Sequence, residues 1–155
     1  MVQIREATEA DIPQIVEVIR AAFAEYDGRL DPPSSAQART VEATRRELAR
    51  GSAIVALLDG AIVGCVFYFA YADHMYFSRL AVLSAYRGRG FARRLIVAVE
   101  DRSRVVGLSR VRLSVRLALP ELRAAYERLG YTFLRYGTHE GYAEPTYVTL
   151  QKALA

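Results

Sequence analysis

Two arginines and two glycines sit immediately before an apolar-periodic run, in the order Arg87-Gly88-Arg89-Gly90-Phe91-Ala92. An apolar stretch, Leu80-Ala81-Val82, precedes them, so the segment reads as strand, short loop and helix start. The first N–H groups of a helix have no intrahelical partner and stand at the positive end of its dipole, which makes that end a phosphate site. Gly88 and Gly90 let the main chain approach a diphosphate with no Cβ in the way. Arg87 and Arg89 bring forked donors that match phosphate oxygens. The pattern predicts a ligand that carries a pyrophosphate.

Two other phosphate loops do not fit. A P-loop requires Gly-Lys-Ser/Thr, and the only lysine of the chain is Lys152. A dinucleotide fingerprint begun at Gly88 meets Arg93 where its third glycine belongs. What remains is R-x-x-G-x-A, on Arg87, Gly90 and Ala92. The second segment of interest is Ala124-Ala125-Tyr126-Glu127-Arg128-Leu129-Gly130-Tyr131. Leu122, Ala125, Tyr126 and Leu129 recur at helical spacing, and Gly130 stands where a glycine ends a helix. The ordinary pKa of a tyrosine, near 10, keeps it protonated and able to donate at neutral pH. Taken alone, Tyr126 reads as a core aromatic on an amphipathic helix.

The elements that must position these residues follow from periodicity. Val2 to Glu6 predicts a short strand. Thr8, with Asp11 three residues on, caps a helix whose first turn tolerates Pro13. Ile12, Ile15, Val16, Ile19 and Phe23 form its apolar face through about Tyr26. The loop Asp27 to Ser35 leads to a second helix from Ala36 to Arg50, with Val41 and Leu48 facing inward and Gly51 ending it. Ala53 to Leu58 and Ala61 to Tyr71 flank Asp59-Gly60, a two-residue hairpin signal. A fourth strand spans His74 to Val82, and the glycine-led helix runs from Gly90 to about Val106. Phe91, Leu95, Ala98 and Val99 lie on the buried side of that helix. Val111 to Val115 is a buried strand, and the Tyr126 helix comes next. The strands Tyr131 to Tyr136 and Tyr147 to Lys152 finish the chain.

With 155 residues, 52% of them hydrophobic and 25% charged, the chain is expected to form one domain, 1–155, without metal or disulfide staples. No run approaches a membrane span, and the N-terminus lacks the plan of a signal peptide, so the expected location is the cytoplasm, with no membrane partner. The single Cys65 lies in an apolar run and reads as a buried thiol, neither nucleophile nor part of a metal cluster. A net charge of +4 raises nucleic-acid binding. However, all but Lys152 of the 21 basic residues are arginines, spread over nearly every predicted helix with no basic tail. Nucleic acid is therefore not the expected partner, and a basic surface equally suits an anionic cofactor.

Together, in this order and on these elements, the two motifs resemble those of the GNAT superfamily of acyl-CoA-dependent N-acetyltransferases. Arg87, Gly90 and Ala92 correspond to its coenzyme A pyrophosphate loop. The Ala124–Tyr131 segment is similar to the A-x-x-Y-E-K-L-G-F segment that closes the coenzyme A site. The order β-α-α-β-β-β-α-β-α-β-β resembles the family fold, an α/β (mixed α+β) architecture. That fold has a strongly bent mixed sheet of about seven strands with helices on both faces. The resemblance implies that strands four and five run parallel and splay apart, leaving main-chain groups of Leu80, Ala81 and Val82 for the pantetheine arm. It implies pyrophosphate binding by the segment Arg87, Gly88, Arg89, Gly90, Phe91, Ala92 and Arg93. It assigns oxyanion support to the Val82 amide and proton delivery to the leaving thiolate to Tyr126, which also contacts the cofactor. The implied reaction moves an acetyl group from acetyl-CoA directly to a primary amine of a small molecule or peptide, with no metal. A homodimer is left open. The alternatives are a catalytically silent acyl-CoA sensor and a basic nucleic-acid module.

The general base is not assigned by the resemblance, because the stretch Met75 to Leu80 of the predicted fourth strand carries no carboxylate, where many family members place a Glu. Asp73, His74, Glu25, Asp27, His139 and Glu140 are the candidates. The implied acceptor site is framed by the loops Tyr26 to Ser35 and Gly137 to Pro145. There Tyr26, Tyr136, Tyr142 and Tyr147 offer walls, and Asp27, Asp31, Glu140 and Glu144 would attract a cation.

Overall fold

A computed structural model describes residues 1–155, apart from the side chain of Gln37. The strands are β1 (Val2–Glu6), β2 (Ser52–Leu58), β3 (Ala61–Ala70), β4 (Met75–Val82), β5 (Arg110–Arg116), β6 (Thr132–Gly137) and β7 (Tyr147–Ala153). The helices are α1 (Ile12–Phe23), α2 (Val41–Leu48), α3 (Phe91–Val105) and α4 (Pro120–Arg128). All strands join one sheet in the order β1-β2-β3-β4-β5-β7-β6. This is the mixed α/β arrangement expected from the sequence. No helix is long and apolar enough to cross a membrane.

The sheet starts from the β2–β3 hairpin. Asp59 and Gly60 both take the left-handed conformation, at φ 51° and 85°, which a two-residue turn needs to match strand twist. Helices cover both faces, so these strands are apolar almost throughout rather than alternating. Val55, Leu57, Cys65 and Phe67 face Ile15, Ile19 and Ala22 of α1. On the other face Ile54, Val66 and Phe77 meet Phe91, Leu95 and Val99 of α3. At the start of α1 the Thr8 N–H donates to Asp11 Oδ2 (2.7 Å), and Arg5 of β1 donates to the same carboxylate at 2.7 and 3.1 Å. The Arg5 guanidinium is the main cause that holds the Asp11 carboxyl at about 2.

Two segments differ from expectation. Helix α1 ends at Phe23 and continues only as a 3-10 turn over Ala24–Tyr26. The helix expected from Ala36 to Arg50 is instead a 3-10 turn, Ser35–Ala38, followed by α2. Thr40 is extended (φ −121°, ψ 163°), and its hydroxyl accepts the Ala43 N–H, so a new helix begins there. The break turns Arg39 into the interior at 6% exposure, where Glu47 of α2 meets it at 2.9 Å. Thr44, not Val41 or Leu48, is the fully buried residue of α2.

The parallel pair β4–β5 positions the site. These strands pair only at Met75–Val111 and Tyr76–Arg112. Strand β5 pairs on its other edge along its whole length with β7, from Arg110–Ala153 to Arg116–Tyr147, so beyond that point only its β4-facing edge is left open. The two strands diverge and leave a gap.

Candidate active site

A cavity of about 810 Å³ occupies the gap. Leu80 and Val82 of β4 line one side, Leu113 and Val115 of β5 the other, and Ala92 and Tyr126 also face it. Leu83 N–H donates to Val63 O (2.9 Å) across the β3–β4 ladder. Bonded and non-bonded pairs alternate in an antiparallel ladder, so the next pair, Val82–Gly64, turns the Val82 N–H and C=O away from β3. The Val82 carbonyl accordingly accepts Arg87 Nε at 3.2 Å, and its N–H points to where β5 has departed. Cys65 opposes Ala81 and Phe67 opposes Ser78, so Arg79 and Leu80 together oppose Val66. This bulge puts Arg79 at φ 53°. Ala81 packs into the core on the α1 face, so only its main chain is offered.

Below Val82 the chain makes a 3-10 turn, Ser84–Tyr86, in which the Arg87 N–H donates to Ser84 O. The amides of Gly88 through Arg93 then have no backbone partner until Arg94 N–H bonds Gly90 O at 3.1 Å. Gly88 and Gly90 lie at φ 78° and 83°, and a Cβ at either would point into open space. The loop is thus a run of free donors ahead of α3, a concave nest suited to an anion. Phe91 is buried and contributes only its amide, whereas Ala92 borders the cavity.

The arginines of the loop divide. The Arg87 side chain, expected to reach phosphate, is instead turned toward α1 while staying exposed at the cavity edge. Its nitrogens bond Val82 O, Ala22 O (3.1 Å) and the Glu25 carboxylate, which ties the loop to α1. Arg89 lies over the Tyr86 ring at 5.3 Å, and Arg93 borders a second, shallower depression on α3. Arg89 and Arg93 form no ion pair among the described residues.

Tyr126 projects from the end of α4 into the cavity. Its ring packs edge-on against Phe77 (6.1 Å) and Tyr131 (6.5 Å). Leu129 N–H and Tyr131 N–H both return to the Tyr126 carbonyl, and Gly130 at φ 99° makes the turn that ends the helix. The Tyr126 hydroxyl has no hydrogen-bond partner among the described residues. Burial, then the nearby Tyr26 and Tyr76, push its pKa up. It stays protonated at neutral pH and is free to donate. The Cys65 thiol, also buried, is pushed up to about 12 and is not a nucleophile at neutral pH.

The far wall of the cavity overturns the expected polarity. Of the suggested bases, Asp27, Asp73, His74, His139 and Glu140 do not line it, and Glu25 is held by Arg87. His74 stacks on Tyr71 and binds Asp73, and His139 contacts Thr146. Asp31, Glu140 and Glu144 are likewise outside, and Tyr142 donates to Asp31. Tyr26 does border the cavity, while Tyr136, Tyr142 and Tyr147 do not. The one carboxylate on the wall is Glu47, accompanied by Arg50 and Arg79. Glu47 was not among the candidates because it sits on α2, and its approach depends on the break at Thr40. Among the described residues no group of three or more His, Cys, Asp and Glu side chains is placed to hold a metal ion.

The sequence model of the Acetyltransferase (GNAT) family matches residues 14–131. No curated protein sequence matches. Among solved structures, the PaiA N-acetyltransferase from Thermoplasma acidophilum, in complex with coenzyme A, superposes with a TM-score of 0.81 at 17% identity, over 99% of each chain. The Ard1 structure from Thermoplasma volcanium gives 0.80 at 19% identity, over 99% of this chain and 98% of that one. The ribosomal-protein-S18-alanine N-acetyltransferase from Escherichia coli gives 0.77 at 19% identity, over 100% and 95%. At such identities the likeness is one of fold.

Proposed function

The chain belongs to the GNAT acetyltransferase family, and from that premise we propose that it moves an acetyl group from acetyl-CoA directly to a primary amine of a small molecule or peptide. The observation that carries the proposal is the coincidence, at one gap, of three unused donor sets. These are the Val82 N–H, the Gly88–Arg93 amides and the Tyr126 hydroxyl. A thioester donor with a diphosphate needs each of them.

The amides of Gly88, Arg89, Gly90, Phe91, Ala92 and Arg93 would hold the pyrophosphate, with Arg89 and Arg93 adding charge and Arg87 bracing the loop from behind. Leu80, Ala81 and Val82 would offer main-chain groups to the pantetheine arm along the open edge of β4. Acetyl-CoA supplies an activated acyl carbon, and this chain supplies the surroundings of its transfer. The Val82 N–H donates to the thioester carbonyl oxygen as negative charge gathers there. The acceptor nitrogen forms its bond to the acyl carbon as the carbon–sulfur bond breaks, and Tyr126 donates a proton or hydrogen bond to the departing sulfur. The acceptor nitrogen loses its own proton to water, because no wall residue stands free as a base. Glu47, the one carboxylate present, is engaged by two arginines.

A screen of amines and short peptides with acetyl-CoA, read by release of free thiol, tests this reading. Turnover with at least one amine is expected. Tight coenzyme A binding without thiol release for any acceptor would make the protein an acyl-CoA sensor instead.

A further inference from the structure

The acceptor side of the cavity is unusually basic. Arg39 Nη1 lies 2.9 Å from one oxygen of Glu47, and Arg79 Nε lies 3.7 Å from the other. Arg50 borders the same wall and forms no ion pair among the described residues. Two guanidiniums therefore share the Glu47 carboxylate, and Arg50 adds a third positive charge to the same cavity. On that wall the Arg79 Nε is buried without a hydrogen-bond partner; the Arg39 Nε is in the same state, but its side chain, 5% exposed, does not border the cavity. Such a group is costly to keep unless something completes it. Ser35 contributes its hydroxyl, 3.5 Å from Arg79 Nη2, and borders the cavity as well. Burial and the charge of Arg39 both work against the charge on Arg79, so an anion at this wall would relieve it.

Resting on the acetyl-transfer reading, we propose that the acceptor is a small amine that also carries an anionic group, a carboxylate or a phosphate, seated by Arg50 and Arg79 beside Ser35. A plain ammonium entering this wall meets an excess of like charge and is repelled. An amine that brings its own anion cancels that excess, and forked guanidiniums suit both carboxylate and phosphate. Arg79 precedes Val82 by three residues, about 10 Å of extended strand and less across the bulge. The anion seat and the Val82 amide thus lie along one strand, within the span of a single small molecule.

The test compares matched acceptors with acetyl-CoA: β-alanine against propylamine, and 2-aminoethyl phosphate against ethanolamine. The proposal expects kcat/KM at least tenfold higher for the anionic member of one pair, and the larger ratio tells carboxylate from phosphate. In Arg50→Ala that ratio should fall at least fivefold, and Arg50→Lys should restore part of it. Equal or better use of the neutral amines, or an unchanged ratio in Arg50→Ala, would overturn the anionic acceptor while leaving acetyl transfer intact. Thiol release from no amine of either kind would overturn both.

Discussion

Tyr126→Phe isolates one oxygen atom. Its removal breaks no hydrogen bond among the described residues, and the ring contacts with Phe77 and Tyr131 survive. Stability should change by less than about 0.5 kcal/mol, or about 2 °C in Tm. The kinetic cost is set by acidity. A leaving alkyl thiol titrates near 8.5, whereas burial holds the Tyr126 phenol above its ordinary 10. Complete proton transfer is uphill by at least about 1.5 units, or roughly 2 kcal/mol, so the hydroxyl acts mainly by hydrogen bonding to sulfur in the transition state. General acids contribute about 10²–10⁴ in rate, and so weak an acid belongs at the low end. We expect kcat to fall about 10²-fold, close to 2.7 kcal/mol, with acetyl-CoA affinity nearly unchanged. Thiol release gives kcat, and calorimetry gives affinity and Tm on the same preparation. A loss below about threefold with intact affinity would refute the role and leave Tyr126 as a packing residue.

Gly90→Val puts a β-branched side chain at φ 83°, a conformation such residues avoid at a cost of about 1–2 kcal/mol. The loop must therefore rearrange, and coenzyme A affinity should fall at least tenfold in a protein whose circular dichroism is unchanged. Lys152→Met removes the ammonium 3.1 Å from the carboxylate of Glu100, which is 4% exposed, and leaves it only the Tyr131 hydroxyl at 2.8 Å. A loss of about 2 kcal/mol is expected, since Lys152 is itself partly exposed, seen as a Tm lower by about 4–8 °C. Asp11→Asn tests the Arg5 pairing. The carboxyl titrates at about 2 when folded and near 3.9 when unfolded, so its contribution is full above about pH 4 and is lost as pH falls through 2. The variant should be less stable by about 1–2 kcal/mol at neutral pH, with the gap in denaturant midpoints closing between about pH 4 and 2.

Local chemistry made the fold legible. Asp59-Gly60 declares its hairpin because few other pairs accept two left-handed residues. Gly90 and Gly130 bracket helix boundaries for the same reason. The splay of β4 from β5 follows from the family likeness, and the structure places its start just past Tyr76–Arg112, while β5 stays fully paired with β7. The charged wall was not legible. Arg87 finds its partners on Ala22 and Glu25, more than sixty residues away, and Glu47 reaches the cavity only because Thr40 restarts a helix that periodicity would continue. The spacing of apolar residues marks which face of a helix is buried but is blind to an arginine folded inward. The acidic loops are therefore conspicuous in the sequence, and the basic wall is not.

The most direct measurement is a calorimetric titration of the protein with acetyl-CoA. The account predicts saturable binding and a Tm that climbs with ligand concentration, as mass action on the folded state requires. No heat and no shift in Tm at millimolar acetyl-CoA would contradict it.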